Sequence, residues 1–280
     1  MRLVRFEEAG QIGVGAMLIE GGDVYRTPWA SFDELFAELD PLAAVAALRL
    51  DTQALVHPER LLSPVVYRAQ VILTGGNYAD HAAEARSIIQ VSEPVFLPFL
   101  WGAIIGPDDA IVVPTPDTQA DYEVQFGVVI GRTARGLTEE NAMDHVFGYI
   151  IVNDVSAREV TAREPYQVTL SKSVDTFTPV GPHIVTRDEI ADPHALGIAS
   201  YLNGEVRQAS STAEMTVRVE GLLTMLTRTV TLYPGDIVAT GTPGGVGYFR
   251  TPPEFMAPGD TITVEVEGVG RMTNRVTQGW

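Results

Sequence analysis

Short apolar segments separated by glycine and proline dominate the chain from Val71 onward, and this pattern limits the folds that the chain can adopt. The segment from Tyr122 to Gly131 alternates, with aromatic and β-branched side chains on one face of a predicted strand. Further short strands are predicted at 148–155, 179–186, 200–202, 229–232, 236–240, 261–267 and 271–276. Helices in this part are predicted only at Asp80–Ile89, Thr138–His145 and Ala213–Thr227. Many short strands with few helices indicate a β-rich α+β fold, a roll or sandwich, rather than alternating β/α units.

The first 66 residues have a different pattern. Residues 1–25 alternate weakly and contain a Gly-Gly-Asp turn, which predicts a hairpin. A helical pattern runs from Ser31 to Leu50, with Ser31 as its candidate N-cap, and Pro41 must break or restart this helix. We therefore predict a small N-terminal α+β domain at 1–66 and a larger domain at 67–280.

Charge and cysteine content exclude several classes of function. The chain has 19 Lys and Arg against 36 Asp and Glu, which gives a net charge of −17. Such a charge repels phosphate backbones and anionic membranes, so we expect binding to neither nucleic acid nor membrane. The absence of cysteine excludes disulfides, thiolate metal sites and cysteine nucleophiles. The first residues have no apolar core, so we expect no signal segment, and the apolar stretches are shorter than the ~20 residues that span a bilayer, so we expect a cytoplasmic protein.

Two oxygen-bearing side chains, Glu123 and Gln125, share the polar face of the strand that follows Asp121. Asp154 closes another apolar strand, where a carboxylate is costly unless it is paired or bound to a metal. Such oxygen donors can hold a hard cation such as Mg²⁺ together with water and substrate. A polar stripe on a solvated sheet face and a turn-capping aspartate are the simpler interpretations, and the residues alone leave both open.

His81 and Glu84 lie three residues apart in a predicted helix, so their side chains share one face. A histidine oriented by a carboxylate can act as a general base near neutral pH. The same spacing also describes an exposed helical pair without a function. It is not the H-E-x-x-H signature of zinc proteases.

Two further segments could contact a negatively charged group. Lys172 lies beside an apolar run and could stabilise an enolate or oxyanion, although most lysines are merely solvated. The loop from Thr240 to Gly247 follows a predicted strand and offers backbone N–H groups and the Thr242 hydroxyl to an anion. This loop lacks the spacing of a Walker loop, and a tight turn is its simpler interpretation.

Taken in order along the chain, several segments resemble the fumarylacetoacetate hydrolase family. They are GGNYADHAAEA, DYEVQFGVVIG, FGYIIVNDVSARE, LSKSVDTFTPVGPHIVT, LNGEVRQ, LYPGDIVATGTPGGVG and PGDTITVEVEGVGRMTNRV. The resemblance covers the chain from about Val71 to Val276. It implies a mixed β-sandwich roll with a small N-terminal domain, usually as a homodimer. It also implies a small oxo or enol substrate, with C–C hydrolysis, isomerisation or decarboxylation as the reaction.

The resemblance also implies roles for individual residues. The ligands of a bound Mg²⁺ or Mn²⁺ would be Glu123, Gln125 and Asp154. The residues that move protons or stabilise the enolate would be His81, Glu84 and Lys172. The substrate would lie against Arg158, Gly241, Thr242 and Phe99.

Three positions depart from the family pattern. Gln125 stands where the family has a second glutamate, so the predicted metal site has two carboxylates instead of three, and metal binding is expected to weaken about 10–100-fold. Phe99 stands near a position where the family usually has a lysine, within an apolar stretch. Thr161 replaces a frequent glutamine. All three changes make the predicted substrate side less polar or less charged.

We therefore predict a metal-assisted enzyme that acts on a small 2-oxo or 1,3-dicarbonyl compound, with C–C bond hydrolysis as the leading reaction. The first alternative is an isomerase, decarboxylase, dehydratase or cyclase with a more apolar substrate and a weak or absent metal, which Gln125 and the stretch around Phe99 favour. The second alternative is a non-catalytic binding protein on the same fold. Retention of His81, Glu84 and Lys172 argues against this last alternative.

Overall fold

The structure is a computed structural model that describes residues 1–67, 69–84 and 93–279. Strands form most of its regular structure, which confirms the predicted β-rich α+β class. In chain order the strands are β1 (Arg2–Glu8), β2 (Gln11–Met17), β3 (Val24–Arg26), β4 (Leu55–Val56), β5 (Arg60–Leu62), β6 (Val71–Gly75), β7 (Val95–Pro98), β8 (Ile104–Ile105), β9 (Ile111–Val113), β10 (Ala120–Asp121), β11 (Val124–Ile130), β12 (Val146–Asn153), β13 (Ser156–Ala157), β14 (Thr178–Thr186), β15 (Gly197–Leu202), β16 (Glu205–Ser211), β17 (Ile237–Ala239), β18 (Thr261–Val266) and β19 (Gly270–Gln278).

The helices are short. They are α1 (Phe32–Phe36), α2 (Pro41–Ala46), α3 (Ala79–Glu84), α4 (Glu139–Ala142), α5 (Arg158–Thr161), α6 (Val168–Lys172) and α7 (Val219–Thr227). The first part of the helix predicted at Asp80–Ile89 is present as α3, and residues 85–89 lie outside the described residues. Among the residues that the structure describes, no helix has the length and apolar character needed to cross a membrane.

The helix predicted from Ser31 to Leu50 is two helices, and Pro41 marks the break as predicted. The Ser31 hydroxyl caps α1 by accepting a hydrogen bond from the Glu34 backbone N–H at 3.2 Å. The Asp40 carboxylate caps α2 in the same way, and Pro41 occupies the first turn, where its missing N–H costs little.

Two sheets form the framework of the molecule. The larger one has the strand order β4-β3-β2-β1-β14-β12-β11-β17-β6-β7, with β5 paired to β1 and β8 paired to β14. The smaller one has the order β16-β15-β18-β19-β9. Apolar side chains from both sheets, such as Phe126 and Ile151 from the larger and Val264 from the smaller, pack together in one buried cluster. This packing of two sheets is the sandwich that the strand pattern predicts.

A second apolar cluster covers the opposite face of the larger sheet. It joins Val129 and Val152 of the central strands to Leu3 of β1 and Leu35 of α1. The central strands β11 and β12 are consequently buried on both faces. The N-terminal segment also extends the larger sheet, because β1 pairs with β14 in antiparallel register. The division into domains at 1–66 and 67–280 stays a prediction.

Candidate active site

The ends of the two central strands bring the predicted acidic residues together. Strands β11 and β12 pair in antiparallel register, with Val124 opposite Asn153. Glu123 therefore lies just before one strand and Asp154 just after the other, and the Asp154 backbone N–H donates to the Glu123 carbonyl at 2.9 Å. Both side chains are buried, as is that of Gln125. Their burial excludes the simpler interpretation of a solvated polar stripe.

Lys172 connects the two carboxylates. It is the last residue of α6, and its Nζ donates to Glu123 Oε2 at 2.7 Å and to Asp154 Oδ2 at 2.8 Å. The lysine is only 7% exposed, so its charge acts where solvent screens it little. The structure thus joins a predicted enolate-stabilising residue to two predicted metal ligands in one buried cluster.

Gln125 completes this cluster as a hydrogen-bond donor. Its Nε2 donates to Asp154 Oδ2 at 2.9 Å, and its Oε1 accepts from the Gly241 backbone N–H at 2.9 Å. Gly241 adopts a φ of +102°, which glycine reaches without strain. The predicted metal ligand and the predicted substrate-contacting loop therefore touch each other directly.

Arg158 forms ion pairs with two buried acids, Asp121 and Glu123. Its Nε donates to Asp121 Oδ2 at 2.8 Å and its Nη2 to Glu123 Oε1 at 2.7 Å. Asp121 also accepts from the backbone N–H groups of Gly247 and Tyr248, so it connects the loop from Thr240 to Gly247, here called the glycine-rich loop, to this cluster. The predicted role of Arg158 as a substrate contact stays a prediction.

Burial and charge act in opposite directions on the acids of this cluster. Burial raises the pKa of Glu123, but the charges of Lys172 and Arg158 outweigh it and hold the pKa well below its ordinary value. Burial raises the pKa of Asp154, and Lys172 opposes this rise without cancelling it. Glu123 is therefore the ionised partner of Lys172, whereas Asp154 is the acid that is harder to ionise.

The predicted pair of His81 and Glu84 lies on α3 and contacts the glycine-rich loop. His81 Nδ1 is 3.4 Å from Glu84 Oε2, and the other Glu84 oxygen accepts a hydrogen bond from the Gly245 backbone N–H. Gly244 packs against α3, since a Cβ added there would be in van der Waals contact with Asp80 and Glu84 at 3.4 Å. Glu84 thus attaches the pair to the same loop whose Gly241 N–H donates to Gln125.

Thr242 is oriented by a residue that the sequence did not single out, Gln208. Gln208 Nε2 donates to Thr242 Oγ1 at 2.8 Å, and its Oε1 accepts from the Val124 backbone N–H at 3.0 Å. Because Thr242 Oγ1 already accepts a hydrogen bond, its own O–H is available to donate to a ligand. Gln208 lies within the segment LNGEVRQ, so its place in the resemblance was the available signal.

Phe99 and Thr161 are connected to the site through neighbouring residues, Leu100 after Phe99 and Arg158 at the start of α5. Phe99 is buried in the second apolar cluster, and its neighbour Leu100 donates its N–H to the Ser173 hydroxyl, next to Lys172. Thr161 ends α5 and donates its hydroxyl to the Ala157 carbonyl. The predicted contact between Phe99 and substrate stays a prediction.

Comparisons with known proteins extend over nearly the whole chain. A family model described as fumarylacetoacetate (FAA) hydrolase C-terminal matches residues 70–277. The chain is 39% identical over 288 residues to the mitochondrial oxaloacetate tautomerase FAHD2A of Bos taurus, with 99% of this chain and 91% of the relative covered.

Two solved structures resemble this one closely. The fumarylacetoacetate hydrolase of Exiguobacterium antarcticum matches with a TM-score of 0.85 and 38% identity, over 99% of each chain. The maleylpyruvate hydrolase of Sphingobium sp. SYK-6, in complex with manganese(II) ion and pyruvate, matches with a TM-score of 0.82 and 28% identity over 100% of each chain. At these identities the likeness extends beyond the fold to the family.

Proposed function

Because the chain belongs to the fumarylacetoacetate hydrolase family, we propose that it catalyses the keto–enol tautomerisation of a small 2-oxo acid of the oxaloacetate class. The observation that carries this proposal is the buried ammonium of Lys172, which lies between Glu123 and Asp154 at the strand ends. The name of the bovine relative, an oxaloacetate tautomerase, supports the same reaction class.

Lys172 is suited to stabilise an enolate. Tautomerisation places negative charge on the oxo oxygen in its transition state, and a fixed cation in a buried site stabilises that charge more than water does. Glu123 and Asp154 fix the ammonium from one side through hydrogen bonds of 2.7 and 2.8 Å. The third N–H of the ammonium is the donor that we assign to the substrate oxygen.

His81 is the residue that we assign to the proton on carbon. Its Nδ1 faces Glu84, so the second ring nitrogen, Nε2, is the one that can meet a substrate. When Nδ1 carries the proton, Nε2 is a base that takes a proton from the carbon next to the oxo group of the keto form. Return of a proton to the oxo oxygen then yields the enol, and the reverse sequence yields the keto form.

Substrate carboxylates are the groups that we assign to the glycine-rich loop. Gln208 Nε2 already donates to the Thr242 oxygen, so the Thr242 O–H is the group that can donate to a substrate carboxylate. A 2-oxo dicarboxylic acid offers such a carboxylate beside the oxo group. The loop and Lys172 would then hold adjacent ends of one small molecule.

The manganese(II) complex of the maleylpyruvate hydrolase raises the question of a divalent metal at this site. Of the three predicted ligands, only Glu123 and Asp154 are carboxylates that such an ion prefers. Asp154 Oδ1 is buried without a hydrogen-bond partner among the described residues, so one carboxylate oxygen is available to a cation. Mg²⁺ is bound through one or two carboxylates, and here Asp154 offers an oxygen without a partner, whereas Glu123 would join it only in competition with Lys172 and Arg158. Gln125 presents nitrogen instead of oxygen toward Asp154 and does not fit. When bound, the metal would act as a Lewis acid on an oxo group.

C–C bond hydrolysis is the second candidate reaction, and the arrangement of His81 favours it. A base whose Nε2 is available can accept a proton from water as well as from carbon. The enolate that leaves in such a hydrolysis needs the same stabilising ammonium. The choice between the two reactions therefore depends on whether water enters beside the substrate.

The proposal is tested by following the disappearance of enol absorbance with oxaloacetate and, in parallel, pyruvate release from acylpyruvates. We expect the wild-type protein to accelerate ketonisation of the enol, and His81→Gln to lower kcat by about 10²–10⁴-fold. His57→Gln is the matched control, because His57 is exposed on the N-terminal segment. Equal rates for the wild type and His81→Gln would contradict the assigned role of His81. Pyruvate release without ketonisation would favour hydrolysis.

Assembly and location follow from the family proposal and stay predictions. We propose a homodimer that binds a small molecule, and size-exclusion chromatography with light scattering tests it. The bovine relative is a mitochondrial protein by name, so the cytoplasmic location predicted from the sequence needs its own test by fractionation.

A further inference from the structure

The Gln125 side-chain amide has one orientation that satisfies its surroundings. The backbone N–H of Gly241 donates to Gln125 Oε1, and Gln125 Nε2 donates to Asp154 Oδ2, each at 2.9 Å. The side chain is 1% exposed, so water does not replace either partner. Rotating the amide by 180° would place NH₂ against the Gly241 N–H and oxygen against the Asp154 carboxylate. Both contacts would become repulsive, and a buried backbone N–H would lose its acceptor.

The carboxylate oxygens around Gln125 are nearly all occupied by donors from the chain itself. Glu123 Oε1 accepts from Arg158 and from the Ser156 hydroxyl, and Glu123 Oε2 accepts from Lys172. Asp154 Oδ2 accepts from Lys172 and Gln125, which leaves Asp154 Oδ1 as the oxygen of this pair without a partner among the described residues. A divalent ion entering here would compete with Lys172 for a second carboxylate oxygen, since Lys172 already donates to both Glu123 and Asp154.

We infer that Gln125 makes Lys172, rather than a divalent metal, the resident cation of this site. A glutamate at position 125 would keep the hydrogen bond from Gly241 with one oxygen and offer the other toward Asp154. Glutamine keeps the first bond but offers a donor in place of the second oxygen. Compared with glutamate, glutamine lacks one metal ligand and one negative charge. It adds instead a hydrogen bond that holds Asp154 beside Lys172.

The consequence for catalysis rests on the proposed function. If the site enolises a 2-oxo acid, the ammonium of Lys172 supplies the positive charge, and turnover proceeds without added metal. This separates the present chain from a relative described with manganese(II), although both share the fold. The role of Gln125 is to position Asp154 and Lys172, without contact to the substrate.

The test is a titration of the purified 280-residue protein with Mn²⁺ alone, followed by electron paramagnetic resonance of the free ion. We expect Gln125→Glu to bind Mn²⁺ at least about tenfold more tightly than the wild type, the range by which neighbouring groups tune metal affinity. Gln11→Glu adds the same charge at an exposed position and is expected to leave the affinity unchanged. An increase below about tenfold in Gln125→Glu would overturn the inference.

A second variant protects the test against misfolding of Gln125→Glu. Lys172→Met removes the resident cation, so both carboxylates become available, and Mn²⁺ affinity is expected to rise at least about tenfold. A smaller rise would overturn the inference even if Gln125→Glu does not fold. Chelator-treated wild-type protein is assayed alongside. Loss of tautomerase activity on chelation would overturn the metal-free reaction, whereas absence of activity with and without metal would count against the proposed function alone.

Discussion

Substituting Lys172 by methionine perturbs the site at its electrostatic centre. The substitution keeps a side chain of similar length and removes one ammonium that donates to Glu123 at 2.7 Å and to Asp154 at 2.8 Å. The remaining cluster holds three buried acids, Asp121, Glu123 and Asp154, against the single cation Arg158. Removing one partner from a buried ion pair costs about 3–5 kcal/mol, and we expect this loss near neutral and alkaline pH.

The loss should depend on pH through Asp154. Lys172 lowers the pKa of this acid against the effect of burial, so the variant has an Asp154 whose folded pKa lies still further above the unfolded value. A carboxyl with a raised folded pKa stabilises the protein at low pH, and that contribution is lost as pH rises through the folded pKa. Lys172→Met should therefore be destabilised less at about pH 5 than at about pH 8, by about 1–2 kcal/mol, since one pKa unit is worth about 1.4 kcal/mol.

Urea denaturation followed by fluorescence of the three tryptophans measures both quantities. The double variant Lys172→Met with Asp154→Asn is the control, because it removes the acid that would titrate and should lose the extra pH dependence. A loss smaller than about 1 kcal/mol at about pH 8 would show that Lys172 is solvated in solution. An equal loss at both pH values would refute the role of Asp154.

Three further outcomes are expected. Burial lowers the pKa of His183 to about 4, so its neutral form stabilises the fold, and this contribution is lost as pH falls below the unfolded pKa. In urea denaturation, the free energy of unfolding of the wild type should therefore fall between about pH 7 and pH 5 by about 2 kcal/mol more than that of His183→Gln. A Cβ at Gly245 would lie 2.3 Å from the Arg207 carbonyl oxygen, so Gly245→Ala should lower kcat by about tenfold through displacement of the loop that holds Glu84. Gly259→Ala, with a similar positive φ but nothing within 4 Å, is its control and should keep kcat. Asn274 donates to the carbonyls of Gly106, Pro107 and Asp109, so Asn274→Ala should lose about 1–3 kcal/mol in urea denaturation, and a negligible loss would contradict this bracing role.

Local sequence signals predicted the elements that depend on nearby residues. The apolar run of β12 and the alternation of β11 follow from side-chain period alone, and the cap at Ser31 and the break at Pro41 follow from backbone chemistry within one turn. The boundaries were less well predicted. The helix expected at Ala213–Thr227 begins only at Val219, because a 3-10 turn at Thr212–Glu214 precedes it.

The chemistry of the site depended on partners far away in the chain. The orientation of the Gln125 amide is set by Gly241, which lies 116 residues later, and Arg158 finds Asp121 across a separation of 37 residues. Periodicity places Gln125 on a face but does not say which of its two polar atoms points toward Asp154. The sequence therefore led to the expectation that Gln125 is an oxygen ligand, whereas the structure gives it the role of donor.

Exchange of the carbon-bound protons of oxaloacetate with deuterated solvent, followed by nuclear magnetic resonance in the presence of a chelator, tests the central claim most directly. Exchange reports formation of the enolate whatever happens afterwards, so it is common to tautomerisation and hydrolysis. We predict rapid exchange with the wild-type protein and exchange slower by about 10²–10³-fold with Lys172→Met, because that variant lacks the charge that stabilises the enolate. Equal exchange rates for the two proteins would contradict the claim that Lys172 is the cation of this site.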